Sequence, residues 1–273
     1  MRFKHSGSNR AWGLVAGLGL AALAGMLQGC AAPAAKPPQD VQTASDQTDA
    51  DRRARVRMEL AAAYFGRGQN STALDEVKQA LQAKPDLADA YNLRGLIYAN
   101  MGEVALAEDS FRHALQLAPR DADTMHNYGW FLCQQRRYGD AEAQFNAALA
   151  VPNYRDAVRS LLTMGVCQAR NNQWAEAEKT LQRSYEMDPA NPTTAMNLAE
   201  VLLRRGEFER ARFYVRRVNA NDELVSAQTL WLTARIENKL GQSAQVKVLG
   251  TQLVNRFPQS AEALLYEKGR FDD

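Results

Sequence analysis

The chain is 273 residues long, with 33 Lys and Arg against 31 Asp and Glu, a formal net charge of +2 and 46% hydrophobic residues. That hydrophobic share is ordinary for a chain that folds, and the near balance of charge gives no electrostatic footing for a nucleic-acid partner. Residues 1–29 carry three of the basic groups, Arg2, Lys4 and Arg10, so the remainder has 30 basic against 31 acidic side chains.

In chain order, the basic start is followed by Ala11 to Leu27, seventeen residues without a charge. A basic n-region and a short apolar h-region form the pattern of a secretory signal, and the run falls short of the roughly 20 apolar residues of a membrane-spanning helix. It exits through Leu27-Gln28-Gly29-Cys30, which resembles the lipobox of bacterial lipoproteins. That resemblance implies removal of residues 1–29, diacylglycerol on the Cys30 thiol and acylation (palmitate) of its new amino terminus. Several acyl chains hold a membrane firmly where one holds it marginally. Ala rather than Asp at position 31 implies, within that class, sorting to the outer membrane, so the expected location is its periplasmic face.

Residues 30–51, CAAPAAKPPQDVQTASDQTDAD, contain three prolines and almost no large apolar side chains. Such a stretch cannot bury enough surface to offset chain entropy, and it is expected to be a flexible lipidated tether. The folded domain is expected over 52–273.

Within that domain residues 54–87 and 88–121 repeat one pattern. A small residue (Ala61, Gly95) is followed three places on by Tyr64 or Tyr98, then by Gly68 or Gly102 and Ala73 or Ala107. Val77 or Phe111, Ala80 or Ala114, and Pro85 or Pro119 complete each unit. Small residues let two helices approach, Tyr and Phe fill the space beside them, Gly permits the turn, and Pro ends the second helix. Apolar positions recur at helical spacing throughout.

Residues 122–155 continue with Gly129, Leu132, Ala141, Phe145 and Ala148, but with Arg136 at the turn position and Pro152 one place early. After a two-residue slip, 158–191 carry Gly165, Ala177, Leu181, Ser184 and Pro189, and 192–225 carry Ala199, Leu202, Gly206, Ala211, Val215 and Val218. Residues 227–260 keep Ala234, Gly241, Leu253 and Pro258 but place Val246 and Gly250 at the packing positions. The period of 34 and these residue types resemble the tetratricopeptide repeat. That resemblance implies an all-α, right-handed superhelical solenoid of six repeats, with residues 261–271 as a C-terminal capping helix.

Catalytic motifs are missing: the sequence has no G-x-x-x-x-G-K-[ST] phosphate loop, no G-x-S-x-G elbow and no His pair with zinc-protease spacing. No enzyme activity, cofactor, metal or small-molecule substrate is expected. Cys133 and Cys167 lie 34 residues apart near the ends of two consecutive first helices. In an oxidising compartment they are a candidate disulfide; two buried free thiols are the other reading.

Stacked helix pairs build an inner wall chiefly from their first helices. The register places Met58, Ala62 and Phe65 on it, then Asn92, Leu96 and Ala99, then His126, Trp130 and Cys133, continuing through Leu162, Val166, Met196, Glu200, Trp231 and Arg235. The first three units would thus present an apolar strip with Asn92 and His126 as polar points, suited to an apolar or amphipathic peptide. Some repeat proteins clamp a C-terminal carboxylate with basic residues there. The matching places hold Met58, Ala62, Leu93, Asp123 and Asn127, so no such clamp is expected.

Cys30, the tether, the run NLRGLIYANMGEVALAEDSFRHALQLAPRDADTMHNYGWFLC at 92–133 and Asn197-Leu198-Ala199 together resemble the PilF/PilW family of type IV pilus biogenesis lipoproteins. The resemblance implies a pilotin that binds the pilus secretin, carries it to the outer membrane and promotes its multimerisation. The alternative is a repeat-containing envelope scaffold that organises peptidoglycan enzymes or other outer-membrane machinery.

Overall fold

The computed structural model describes residues 48–272. Cys30 and the tether up to residue 47 lie outside the described residues. The first helix, α1 (Asp49–Gly66), starts earlier than expected. Thr48 is its N-cap: its hydroxyl accepts from the Asp51 N–H, and the Asp51 carboxylate accepts from the Thr48 N–H. This reciprocal capping satisfies two amide donors that a helix start otherwise leaves open, and it places Asp49 to Asp51 in the helix rather than in the tether.

Six antiparallel helix pairs follow one another: α1 with α2 (Asn70–Ala83), α3 (Ala88–Met101) with α4 (Val104–Leu117), and α5 (Ala122–Gln134) with α6 (Tyr138–Leu149). Next come α7 (Ala157–Arg170) with α8 (Trp174–Met187), α9 (Pro192–Arg204) with α10 (Phe208–Asn219), and α11 (Ala227–Lys239) with α12 (Ser243–Arg256). From the second pair on, each first helix touches both helices of the pair before it. No strand occurs among the described residues.

The small residues set the spacing within pairs. A Cβ added to Gly95 would lie 2.8 Å from the Phe111 ring, and one added to Gly165 would lie 2.6 Å from Leu181 Cγ. Phe111, Phe145 and Leu181 are fully buried in consequence, and truncating such an aromatic typically costs about 3–5 kcal/mol. Polar links reinforce the stack. Glu237 on α11 is fully buried and meets Arg216 of α10 at 2.8 Å and Arg212 at 3.5 Å. Glu178 on α8 is held by Arg205 and by Arg210, the latter at 2.7 Å.

The irregularities each have a local cause. The slip between the third and fourth units is a turn through Asn153, which takes φ +59°. A 3-10 turn, Asp222–Leu224, joins the fifth pair to the sixth. In the sixth unit Gly250 stands where other units put a bulky side chain, and the space is filled by Tyr266 from α13 (Ala261–Glu267). A Cβ on Gly250 would fall 1.7 Å from Tyr266 Cζ. This helix caps the open end as expected, but it stops at Glu267 rather than running to 271. Gly269 takes φ +65° and donates to Tyr266 O at 2.9 Å, and Arg270 N donates to Leu265 O at 3.0 Å. That pair of bonds is the Schellman closure of a helix end, and the chain then turns back toward α11.

Candidate functional site: the inner groove

A groove of about 240 Å³ opens between α3 and α5. Leu96, Ala99 and Asn100 line one side, and Asn127, Trp130, Phe131 and Gln134 the other. On α5 the spacing of Asn127, Trp130 and Gln134 puts all three on one helical face, and the same holds for Leu96, Ala99 and Asn100 on α3. Asn127 Nδ2 donates to Asn92 Oδ1 at 3.1 Å, joining the helices at the edge of the groove. The Trp130 ring is half-buried, with the Arg170 guanidinium of α7 4.7 Å from its centroid. This stacking fixes the indole and adds a cation–π attraction. The site therefore offers an aromatic plate, aliphatic side chains and side-chain amides with bonding capacity left over, which suit an extended or amphipathic peptide. Among the described residues no group of three or more His, Cys, Asp or Glu could hold a metal ion.

Family models for the tetratricopeptide repeat match residues 88–121, 129–192 and 168–230, and a TPR-repeat model matches 61–102. The chain is 26% identical over 205 residues to the type IV pilus assembly protein PilF of Pseudomonas aeruginosa, covering 75% of this chain and 81% of that protein. The crystal structure of PilW, a widely conserved type IV pilus biogenesis factor, superposes with a TM-score of 0.72 at 30% identity, over 77% of this chain and 96% of that one. A structure of Pseudomonas aeruginosa PilF gives a TM-score of 0.69 at 24% identity, over 82% of this chain and all of that one, and supports the fold. The chain belongs to the PilF/PilW family of type IV pilus biogenesis proteins.

The other wall positions of this PilF/PilW-family chain divide. Leu96, Ala99 and Trp130 come together in the groove as the register implies. Met58 and Phe65 are half-buried against the core of the first two units, Ala62 between them is exposed, and none of the three lines this groove. His126 is not a polar point of the wall. It is buried at 6% exposure, with Nδ1 2.8 Å from Ser160 Oγ of α7. Burial first, and the Arg159 cation second, pushes its imidazole down to about 4, against a weaker upward pull from Asp156.

Asn127, one residue on, takes the place expected for His126. Along a helix one residue is a rotation of about 100°, so the two alternatives point to different surfaces. The signal for Asn127 was its spacing to Trp130 and Gln134.

Cys133 and Cys167 are bonded to each other, with Cα atoms 5.9 Å apart, and are buried rather than exposed on the wall. A link between positions 34 residues apart stabilises a fold by about 3–4 kcal/mol in the chain-entropy treatment. It fastens α5, which carries Trp130, to α7, which carries Arg170. Trp231 and Arg235, expected on the open wall of the sixth unit, are only 6% and 8% exposed. Residues beyond α13 cover them.

Proposed function

We propose that this chain is a pilotin: a lipoprotein anchored through Cys30 at the periplasmic face of the outer membrane, which binds the pilus secretin and promotes its delivery and multimerisation. The carrying observation is the groove of the second and third units, an aromatic and amide surface on a scaffold related to PilF and PilW. In this reading the Trp130 indole and Leu96 receive apolar side chains of a secretin segment. Asn127 and Asn100 bond its main chain. The exposed Ala62, with Met58 and Phe65, extends the surface along α1. The acyl chains on Cys30 confine the protein to one membrane, and the tether of residues 30–47 turns capture into a local, high-concentration event. The chain performs no chemistry on its partner.

Binding of purified, detergent-dispersed secretin monomer to the chain and to its Leu96→Glu and Trp130→Ala variants tests the groove. Both side chains are half-buried, so the variants keep their helical signal. Losing an aromatic anchor at an interface centre typically costs about 2 kcal/mol or more, so affinity should fall at least about tenfold in each. Folded variants that bind as tightly as the parent would remove the groove from the reading.

A further inference from the structure

Residues Gly269 to Asp272 fold back onto the inner face of α11. The Phe271 ring lies 5.1 Å from the Trp231 ring at 30°, and the Tyr266 ring meets it edge-on at 6.2 Å and 89°. Arg235 Nε donates to the Phe271 carbonyl at 3.3 Å, and Lys239 Nζ meets Asp272 Oδ1 at 2.6 Å. Trp231, Arg235 and Lys239 are four residues apart along one face of the helix. In the repeat register Arg235 and Lys239 stand where Leu96 and Asn100 stand in the second unit, and those two line the open groove. The segment thus occupies in the sixth unit the positions that are vacant in the second.

We propose that this face is a binding site for an extended peptide bearing an aromatic residue followed directly by a carboxylate, and that Phe271-Asp272 is its resident occupant, displaced when a partner segment of the same chemistry binds. Each element of the site reads one feature. The Trp231 face and Tyr266 edge make a slot for a flat ring, in the offset and edge-on geometries aromatic pairs prefer. Arg235, oriented from behind by Glu200 at 2.9 Å, bonds the main-chain carbonyl of the aromatic residue. Lys239 receives the acid one residue on. Beside the occupied slot a cleft of about 290 Å³ stays open, walled by Met196, Glu200, Gln228 and Trp231, and it gives a longer partner room that the resident segment leaves unused.

The polar hold at the end of the resident segment is light, and Phe271 supplies most of the contact through its ring. The Asp272 side chain is 81% exposed and that of Lys239 41%, and a surface ion pair contributes little. Exchange therefore needs no unfolding of α13. The site is separate from the groove at Leu96 and Trp130, so its test does not depend on the secretin.

The test uses the full chain carrying Phe271→Ala and Asp272→Ala, with a fluorescently labelled Lys-Gly-Arg-Phe-Asp-Asp peptide, the sequence of residues 268–273, followed by anisotropy. The variant is expected to bind the peptide saturably, and Lys239→Glu added to it to weaken binding by a few-fold, because the pair it reverses is exposed. A tethered competitor acts at an effective concentration on the order of millimolar, so the parent chain should bind at least about tenfold more weakly. A variant with intact helical signal that takes up no peptide to about 1 mM, a limit of only some −4 kcal/mol, would overturn the proposal. So would equal binding by parent and variant. A variant that loses its helical signal would overturn it too, because the segment would then be part of the cap rather than a ligand of the wall.

Discussion

Arg136 holds φ at +60° at the end of α5, a place where Gly68, Gly102, Gly206 and Gly241 hold +72° to +81° in other units. Its N–H donates to Cys133 O at 3.0 Å and that of Arg137 to Leu132 O at 2.9 Å, the same closure that Gly102 and Glu103 make after α3. A side chain in the left-handed region costs roughly 1–2 kcal/mol, partly offset by the roughly 0.5–1 kcal/mol that glycine loses in chain entropy. Arg136→Gly should therefore stabilise the domain by about 0.5–1 kcal/mol, read as a rise in urea midpoint at unchanged slope; a fall would contradict this reading of the turn.

His126 gives a pH signature. Its folded value of about 4 lies below the ordinary 6.5, so the unfolded chain takes up the proton first as pH falls. The stabilisation is fully present above about 6.5 and is lost as pH drops toward 4, by up to about 3 kcal/mol. His126→Gln can still bond Ser160 and should flatten this part of the profile when urea midpoints at pH 7 and 4.5 are compared with the parent. Equal acid sensitivity in both would remove His126 as the cause. Leu96, Ala99 and Trp130 were legible in the sequence because the 34-residue register fixes which face they share. His126 was not, because its inward turn depends on Ser160, which reaches it from α7 after the two-residue slip.

The helices themselves were legible from small residues, turn positions and periodic apolar side chains, and the repeat boundaries follow from them. The misjudged ends are at 49–51 and 268–271. Thr48 with Asp51 three places on is a capping signature, and Gly269 is a stop, but both sit in stretches whose composition suggested something else: a polar tether, and the continuous run AEALLYEKGRF. The sixth pair departs from the repeat pattern at Val246 and Gly250 for a reason that spacing alone does not display. Gly250 is small because Tyr266 of α13 occupies the volume a bulky side chain fills elsewhere. Gly250→Ala should push Tyr266 out and destabilise the domain by about 1–3 kcal/mol, the usual range for overpacking. In a Tyr266→Ala background the same change should have a much smaller effect, since the clash is gone. Thermal melts of the four proteins read both numbers; additive effects would show that the two positions do not compete for one space.

At the scale of the whole molecule, repeat, groove and disulfide make a preorganised surface. The bond between Cys133 and Cys167 ties the helix carrying Trp130 to the helix carrying Arg170, so the plate of the groove is held without help from a partner. Repeat architecture by itself does not choose a partner, and here the relationship to PilF and PilW points toward pilus assembly. The most direct measurement is the amount of heat-stable secretin multimer in outer-membrane fractions. It should be made from cells that lack the chain, that carry it intact, and that carry Cys30→Ala or Trp130→Ala. A lipid-anchored pilotin predicts loss of the multimer without the chain, reduced or misplaced multimer with Cys30→Ala, and reduced multimer with Trp130→Ala at unchanged chain abundance. Full multimer in the outer membrane of cells that lack the chain would contradict the central claim and favour an envelope scaffold.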